Sequence, residues 1–95
     1  MSIVTKLTDS LVKVQGSVDS SNAPQFEAEL LAAISGDKLT IDAENLTYIS
    51  SAGLRVLLAA QKTMNKQGEM IIRNVNETIN EIFEVTGFID ILTIE

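Results

Sequence analysis

The 95-residue chain has no cysteine, no histidine and no tryptophan, and its single proline is Pro24. Each absence removes chemistry. Without cysteine there is no disulfide and no thiolate nucleophile; without histidine there is no imidazole base, no Ser-His-Asp triad and no zinc finger. Aromatic residues are only 4% of the chain, and 7 basic side chains stand against 13 acidic ones, for a formal charge of -6. The cations are scattered, so the basic footprint that binds a phosphate backbone is missing and no direct nucleic-acid partner is expected. No apolar run approaches the roughly 18 residues of a membrane span, so no membrane insertion is expected either. The opening MSIVTKLTDS has neither a basic segment nor an apolar stretch of signal-peptide type, which makes the cytoplasm the expected location. Asn45-Leu46-Thr47 and Asn76-Glu77-Thr78 then read as accidental sequons rather than glycan sites.

What is present is enough for one core. Hydrophobic residues make up 45% of the chain, and a chain of this length buries roughly 60 to 65% of the surface that its unfolded form exposes. No composition break, linker or repeat divides it, so a single domain over residues 1–95 is expected.

Ile3 to Leu7 and Leu11 to Gln15 are β-type runs joined by the polar turn Thr8-Asp9-Ser10, which predicts an antiparallel hairpin, with Gly16 ending the second strand. Ser17 to Asn22 is dense in helix-capping residues and is followed by Pro24. Phe26, Leu30, Ala33 and Ile34 then recur at helical spacing until Gly36. Lys38 to Ala43 alternates as a strand, and Leu46 to Ile49 forms a short apolar approach to the next element. Ser50-Ser51-Ala52-Gly53 opens a second helix with a stripe of Leu54, Leu57, Leu58 and Met64, interrupted by Gln61, and with Gly68 as its C′ residue. Glu69 to Arg73 is a strand. Asn76 caps a third helix facing inward through Ile79, Ile82 and Phe83 and ending at Gly87, and Ile89 to Thr93 is a final strand. The expected fold is therefore α/β, a mixed and mostly parallel five-stranded sheet with an N-terminal β-hairpin and three main helices, in the order β-β-α-β-α-β-α-β. Three loops, Gly16 to Asn22, Thr47 to Gly53 and Asn74 to Asn76, then share the carboxyl end of the strands, where open α/β sheets carry their sites.

The segment richest in chemistry is Tyr48-Ile49-Ser50-Ser51-Ala52-Gly53-Leu54-Arg55. Two hydroxyls stand at a helix start, and the small residues after them leave backbone amides uncovered. A phosphate on such a serine meets a positive helix end, which favours an anion by about 0.3 to 1 kcal/mol at an exposed site. The alternative on spacing alone is that Ser51 is a plain N-cap.

The run from Ile41 to Leu58 resembles the signature of STAS domains, specifically of bacterial anti-sigma factor antagonists. Gly16-Ser17-Val18-Asp19 resembles the family's Gly-x-x-Asp after strand two, Ala23-Pro24 its entry to helix one, and Phe83 to Phe88 its phenylalanine-to-glycine ending of helix three. The likeness covers nearly the whole chain. In that family the regulated serine commonly lies in Asp-Ser-x-Gly. The matching position is Ser51, while Ser50 stands where the family often has aspartate, so Ser50 is the second phosphorylation candidate. The resemblance further implies a partner-binding surface of Asp19, Ser20, Ser50, Ser51, Ala52, Gly53 and Arg55. Asp19 presents Ser51 or meets the partner, its alternative being a helix-start carboxylate. Arg55 contacts a partner or a phosphate, its alternative being a solvated arginine.

The function implied is a partner switch. Unphosphorylated, the domain binds a serine-kinase anti-sigma factor and frees the sigma factor; phosphorylated on Ser51, it lets go. The kinase supplies ATP and magnesium, a serine phosphatase resets the switch, and the domain is no enzyme and needs no cofactor or metal of its own. The second reading is a STAS accessory subunit of a transporter, such as a lipid-type ABC complex, or a signalling scaffold without a phospho-switch. A hydrolase using Ser51 lacks a general base. Ser35-x-x-Lys38 imitates an acyl-transfer motif but straddles a helix end and a strand start. Asp19, Asp42 and Glu44 have no metal-ligand spacing, and neither a Walker A nor a Gly-x-Gly-x-x-Gly motif occurs.

Overall fold

The computed structural model describes residues 2–95. Its elements are β1 (Val4–Lys6), β2 (Leu11–Val18), α1 (Ala23–Ala33), β3 (Lys38–Ile49), α2 (Ser51–Asn65), β4 (Glu69–Arg73), α3 (Glu77–Thr86) and a 3-10 turn, Phe88–Asp90. The sheet runs β1-β2-β3-β4; β1 is antiparallel to β2, and the other neighbours are parallel. The turn between β1 and β2 is closed by Leu7 N–H and Thr8 N–H, both donating to the Leu11 carbonyl, with Thr8 Oγ1 accepting from Ser10 N–H. It is the short polar turn that Thr8-Asp9-Ser10 encodes.

The core lies on the helix-covered face of the sheet. Val12 and Val14, Leu39, Ile41 and Ala43, and Met70 and Ile72 are buried at alternate positions of their strands, and they meet Phe26 and Leu30 of α1 and Leu54, Leu57, Ala60 and Met64 of α2. Ile79 and Phe83 of α3 complete the same cluster. Each such side chain removed from water contributes about 1.5–3 kcal/mol. The intervening residues Lys13, Asp42 and Arg73 stand side by side on neighbouring strands.

Six expectations are corrected. There is no fifth strand among the described residues. After Gly87 closes α3 at φ 81°, Ile91 N–H and Leu92 N–H both fold back onto the Phe88 carbonyl. This uses the residues that an edge strand would need. Only one parallel bridge remains, Ile72 to Ile94, with Ile72 N–H donating to Thr93 O and Glu95 N–H to Ile72 O. The sheet is thus mixed and mostly parallel, as expected, but four-stranded.

Gly16 does not end β2, and β3 does not stop at Ala43. Between Lys13 and Gln15, and again between Gly16 and Ser17, the register slips, so that Lys13 faces Asp42, Gln15 faces Asn45 and Val18 faces Ile49. Each slip adds one residue to β3, and each bulge returns the next apolar residue to the covered face. The buried positions of β3 are accordingly 39, 41, 43, 46 and 49. Gly16 supplies the left-handed backbone at one of these irregularities, at φ 85°.

Gly68 is not a left-handed C′ residue. It passes Asp37 so closely that a Cβ would stand 1.7 Å from the Asp37 carbonyl oxygen, and Glu69 N–H then donates to that same oxygen at 2.9 Å. Gln61 does not interrupt the inner stripe of α2 but belongs to it, being only 3% exposed. Its amide nitrogen donates to Asn65 Oδ1 and its oxygen accepts from Thr93 N–H, so its polarity is satisfied and it ties the C-terminal bridge to α2. Leu58, expected in that stripe, is only partly buried. No helix among the described residues is long and apolar enough to cross a membrane.

Candidate functional site

The parallel strands bring their carboxyl ends together, but not level. The longest strand, β3, passes the end of β4 by seven residues, since Arg73 pairs with Asp42 and β3 runs on to Ile49. The end of β2 travels with β3 to the tip, where Val18 pairs with Ile49. Two of the expected loops therefore meet: Asp19 to Asn22, and the single linking residue Ser50. The third, before α3, is set back. Its Asn76 side chain donates to the Leu46 carbonyl at 2.7 Å and accepts from Ile79 N–H at 2.9 Å, so it caps α3 and ties that helix to β3.

At the tip, Ser50 N–H donates to the Val18 carbonyl at 2.8 Å. That bond holds the end of β2, and with it the loop that starts at Asp19, against the start of α2. Ser50, not Ser51, occupies the N-cap position, with extended backbone and no side-chain cap. Its Oγ is buried and has no hydrogen-bond partner. Ser51 is the first residue of the 15-residue helix α2 and is exposed. The two adjacent hydroxyls thus have opposite surroundings, and only that of Ser51 is open to a modifying enzyme. The amides of the first turn of α2 have no intrahelical acceptor, as at any helix start, and they favour negative charge there.

Gly53 has a different task from leaving amides uncovered. It is buried, and a Cβ on it would lie 2.6 Å from Ile49 Cγ1 and 2.8 Å from Val18 Cγ1. Glycine lets the first turn of α2 sit directly on the Val18–Ile49 pair, and this fixes where Ser51 projects. Ala52 is half-buried beside it.

Asp19 organises its own loop. Its carboxylate accepts from both the hydroxyl and the amide of Ser21, and these bonds hold its carboxyl below the usual carboxylate range, the hydroxyl contributing most. Its N–H donates to Asn22 Oδ1, Asn22 Nδ2 donates to the Ser17 carbonyl, and Ala23 N–H donates to the Asp19 carbonyl. The side chain of Asn22 is thereby used within the loop instead of capping α1. The Asp19 carboxylate is spent on Ser21, within its own loop.

Beside this tip, a shallow groove runs between the starts of α1 and α2. Ser20, Pro24 and Glu27 line one wall, and Ala52, Arg55 and Val56 the other. Ser20, Ala52 and Arg55 are thus brought together as expected. Glu27 was not singled out by the sequence, and Tyr48, which opens the segment richest in chemistry, was given no role of its own; it is 47% exposed at the tip of β3. Tyr48 faces outward because the second slip of β3 displaces the alternation, and Glu27 is one of many acidic residues on a helix surface. Ser35, the first residue of the acyl-transfer imitation, donates its hydroxyl to the Asp9 carbonyl, a structural use.

A family model, the STAS domain, matches residues 2–95. BtrV of Bordetella bronchiseptica, assigned as an anti-sigma factor antagonist, is 42% identical over 84 residues, covering 85% of this chain and 72% of that protein. The anti-sigma-B factor antagonist of Bacillus subtilis is 32% identical over 88 residues, covering 90% of this chain and 81% of that protein. Among solved structures, an anti-sigma factor antagonist from Mycobacterium paratuberculosis superposes with a TM-score of 0.81 at 21% identity, covering 99% of this chain and 83% of that one. With its sheet order, its glycine-seated second helix and these matches, the chain belongs to the STAS domain family.

Proposed function

We propose that this protein is an anti-sigma factor antagonist whose binding to an anti-sigma factor is switched off by phosphorylation of Ser51. The observation that carries the assignment to this residue is the contrast within one dipeptide: Ser51 is exposed at the start of α2, whereas the Ser50 hydroxyl is buried. The relatives at 42% and 32% identity, named as anti-sigma factor antagonists, support the class. Asp19, Ser20, Ser50, Ala52, Gly53 and Arg55 form the partner surface around Ser51, with Gly53 and Ser50 acting from below by positioning the turn. The anti-sigma factor is a serine kinase and brings ATP and magnesium; a separate serine phosphatase restores the hydroxyl. This chain is substrate and ligand, a binding protein and not an enzyme.

Release follows from charge and hydration. A phosphate adds about -1.5 to -2 charges and three strongly hydrated oxygens to a surface that must shed its water on binding. A loss of about 3 kcal/mol weakens a complex more than a hundredfold. The test is incubation with the cognate kinase and ATP. Intact mass should rise by one phosphate, the Ser51→Ala variant should gain none, and the modified protein should lose the anti-sigma factor in a pull-down. Full phosphorylation of Ser51→Ala would move the site to Ser50 and overturn the reading.

A further inference from the structure

We infer that Arg55 is the receptor for the phosphate on Ser51, forming a phosphoserine–arginine pair within α2 that also withdraws Arg55 from the groove where a partner would meet it. This rests on the reading of Ser51 as the modified residue and names how the modification is registered.

Ser51 and Arg55 lie four residues apart in the same helix, and both are exposed. Residues at that spacing are neighbours on a helix surface, with Cβ atoms about 5–6 Å apart. Side chains lean toward the helix N-terminus, so the long arginine reaches back over Ser51 while the serine cannot reach forward. The order is also favourable, since an anion four residues before a cation pairs better than the reverse. A guanidinium offers a planar fork of donors matched to phosphate oxygens.

Arg55 is available for the role. Among the described residues it makes no ion pair; the ion pair present joins Lys38 and Glu69. Glu27 shares its groove without being bonded to it. The lysines and the second arginine among the described residues stand away from it. Lys62 is the next on α2, seven residues beyond Arg55, which puts it about 16 Å from Ser51 along the helix axis. Lys13 and Arg73 flank Asp42, seven residues before Ile49, about 23 Å down the strand. Lys38 lies at the opposite end of β3. Among the described residues the phosphate has one cation within reach, and meeting it takes Arg55 out of the groove walled by Ser20, Pro24 and Glu27. Phosphorylation then does two things to a partner: it adds negative charge and it removes the nearby positive contact.

The experiment places phosphoserine at position 51 during translation, so neither kinase nor anti-sigma factor is involved, and follows its second ionisation by phosphorus NMR. Arg55 stabilises the dianion, so its midpoint should lie about 0.2–0.4 pH unit lower in the parent than in Arg55→Gln. Arg55→Lys should recover part of the shift, and denaturing urea should abolish the difference. Glu27 of the groove and Asp19 of the neighbouring loop, whose carboxylate is held by Ser21, are carboxylates that act on the midpoint in all these proteins alike. In the parent, the Arg55 Nε–H resonance should move with the same midpoint, a readout that does not depend on any variant folding. Equal midpoints in folded parent and Arg55→Gln, or an Arg55 Nε–H indifferent to the phosphate, would overturn the proposal. A negative result with the natural kinase would instead count against Ser51 as its target, and so the two failures are distinguishable.

Discussion

Gly53 lies so close to Ile49 that a Cβ on the glycine would stand 2.6 Å from Ile49 Cγ1. This contact seats the first turn of α2 on the tip of β3 and thereby sets the direction of Ser51. Alanine at position 53 gains about 1 kcal/mol of helix propensity, but it must push aside Ile49 and Val18, both almost fully buried. Overpacking of this kind costs about 1–3 kcal/mol. Gly53→Ala should therefore be destabilised by up to about 2 kcal/mol in urea unfolding, and Gly68→Ala by more, because its Cβ meets the Asp37 backbone instead of side chains that can move.

Ser50 provides the opposite expectation. Its hydroxyl is buried without a partner, a condition that costs folding free energy. Ser50→Ala should leave stability unchanged or raise it by up to about 1 kcal/mol, and it should still accept one phosphate. A loss of more than 1 kcal/mol on urea unfolding would mean that the hydroxyl has a partner in solution.

Asn76 serves two elements at once, accepting from Ile79 N–H and donating to the Leu46 carbonyl. Asn76→Ala removes a cap and a long-range hydrogen bond, and it should cost about 1.5–3 kcal/mol. Asn76→Asp keeps the acceptor and loses the donor, so it should cost less. Thermal unfolding of the two variants separates the local role from the tertiary one.

Acid should weaken the fold through carboxylates that are hydrogen-bonded in the native state. Glu29 accepts from Val4 N–H and Ile3 N–H and from the Gln25 amide; its carboxyl is held below its ordinary value, the Val4 amide contributing most. Asp42 is lowered chiefly by the Glu44 amide, and also by Asn74; Asp19 is lowered by Ser21. A carboxyl with a depressed native pKa binds fewer protons folded than unfolded. Its contribution is therefore complete above the unfolded value and fades as pH falls through the folded one. The urea midpoint should drop between about pH 5 and pH 3, and Glu29→Gln, which cannot titrate, should show a shallower drop than the parent.

The sequence made several of these elements legible because their signals are local. The cap at Asn76, the left-handed Gly87, the turn at Thr8 to Ser10 and the stripes Phe26–Leu30 and Ile79–Phe83 each depend on residues within a few positions of one another, and the structure has them where the sequence put them. The Leu46 to Ile49 segment failed that test. Its buried residues follow Ala43 at intervals of three, which match neither a plain strand nor a helix, and only pairing with β2 shows that two register slips restore them to the core. The last strand failed for a related reason. Ile89 to Thr93 has β-type composition, yet the sharp return after Gly87 commits Phe88 to Leu92 to a turn before they can reach the edge of β4.

The site divides along the same line. By itself the sequence determined that a hydroxyl pair, two small residues and an arginine stand at the start of a helix, that no histidine or cysteine can do chemistry beside them, and that the whole pattern resembles one family. Only the tertiary structure decided which hydroxyl faces water. Ser50 and Ser51 have the same side chain, and their difference comes from a hydrogen bond to Val18 and the close seating of Gly53 on Ile49. The first contact joins residues 32 apart in sequence, and the second depends on where β3 ends. A register accumulated over a strand is not written at any one residue, so the direction of Ser51 exists only once the sheet is assembled.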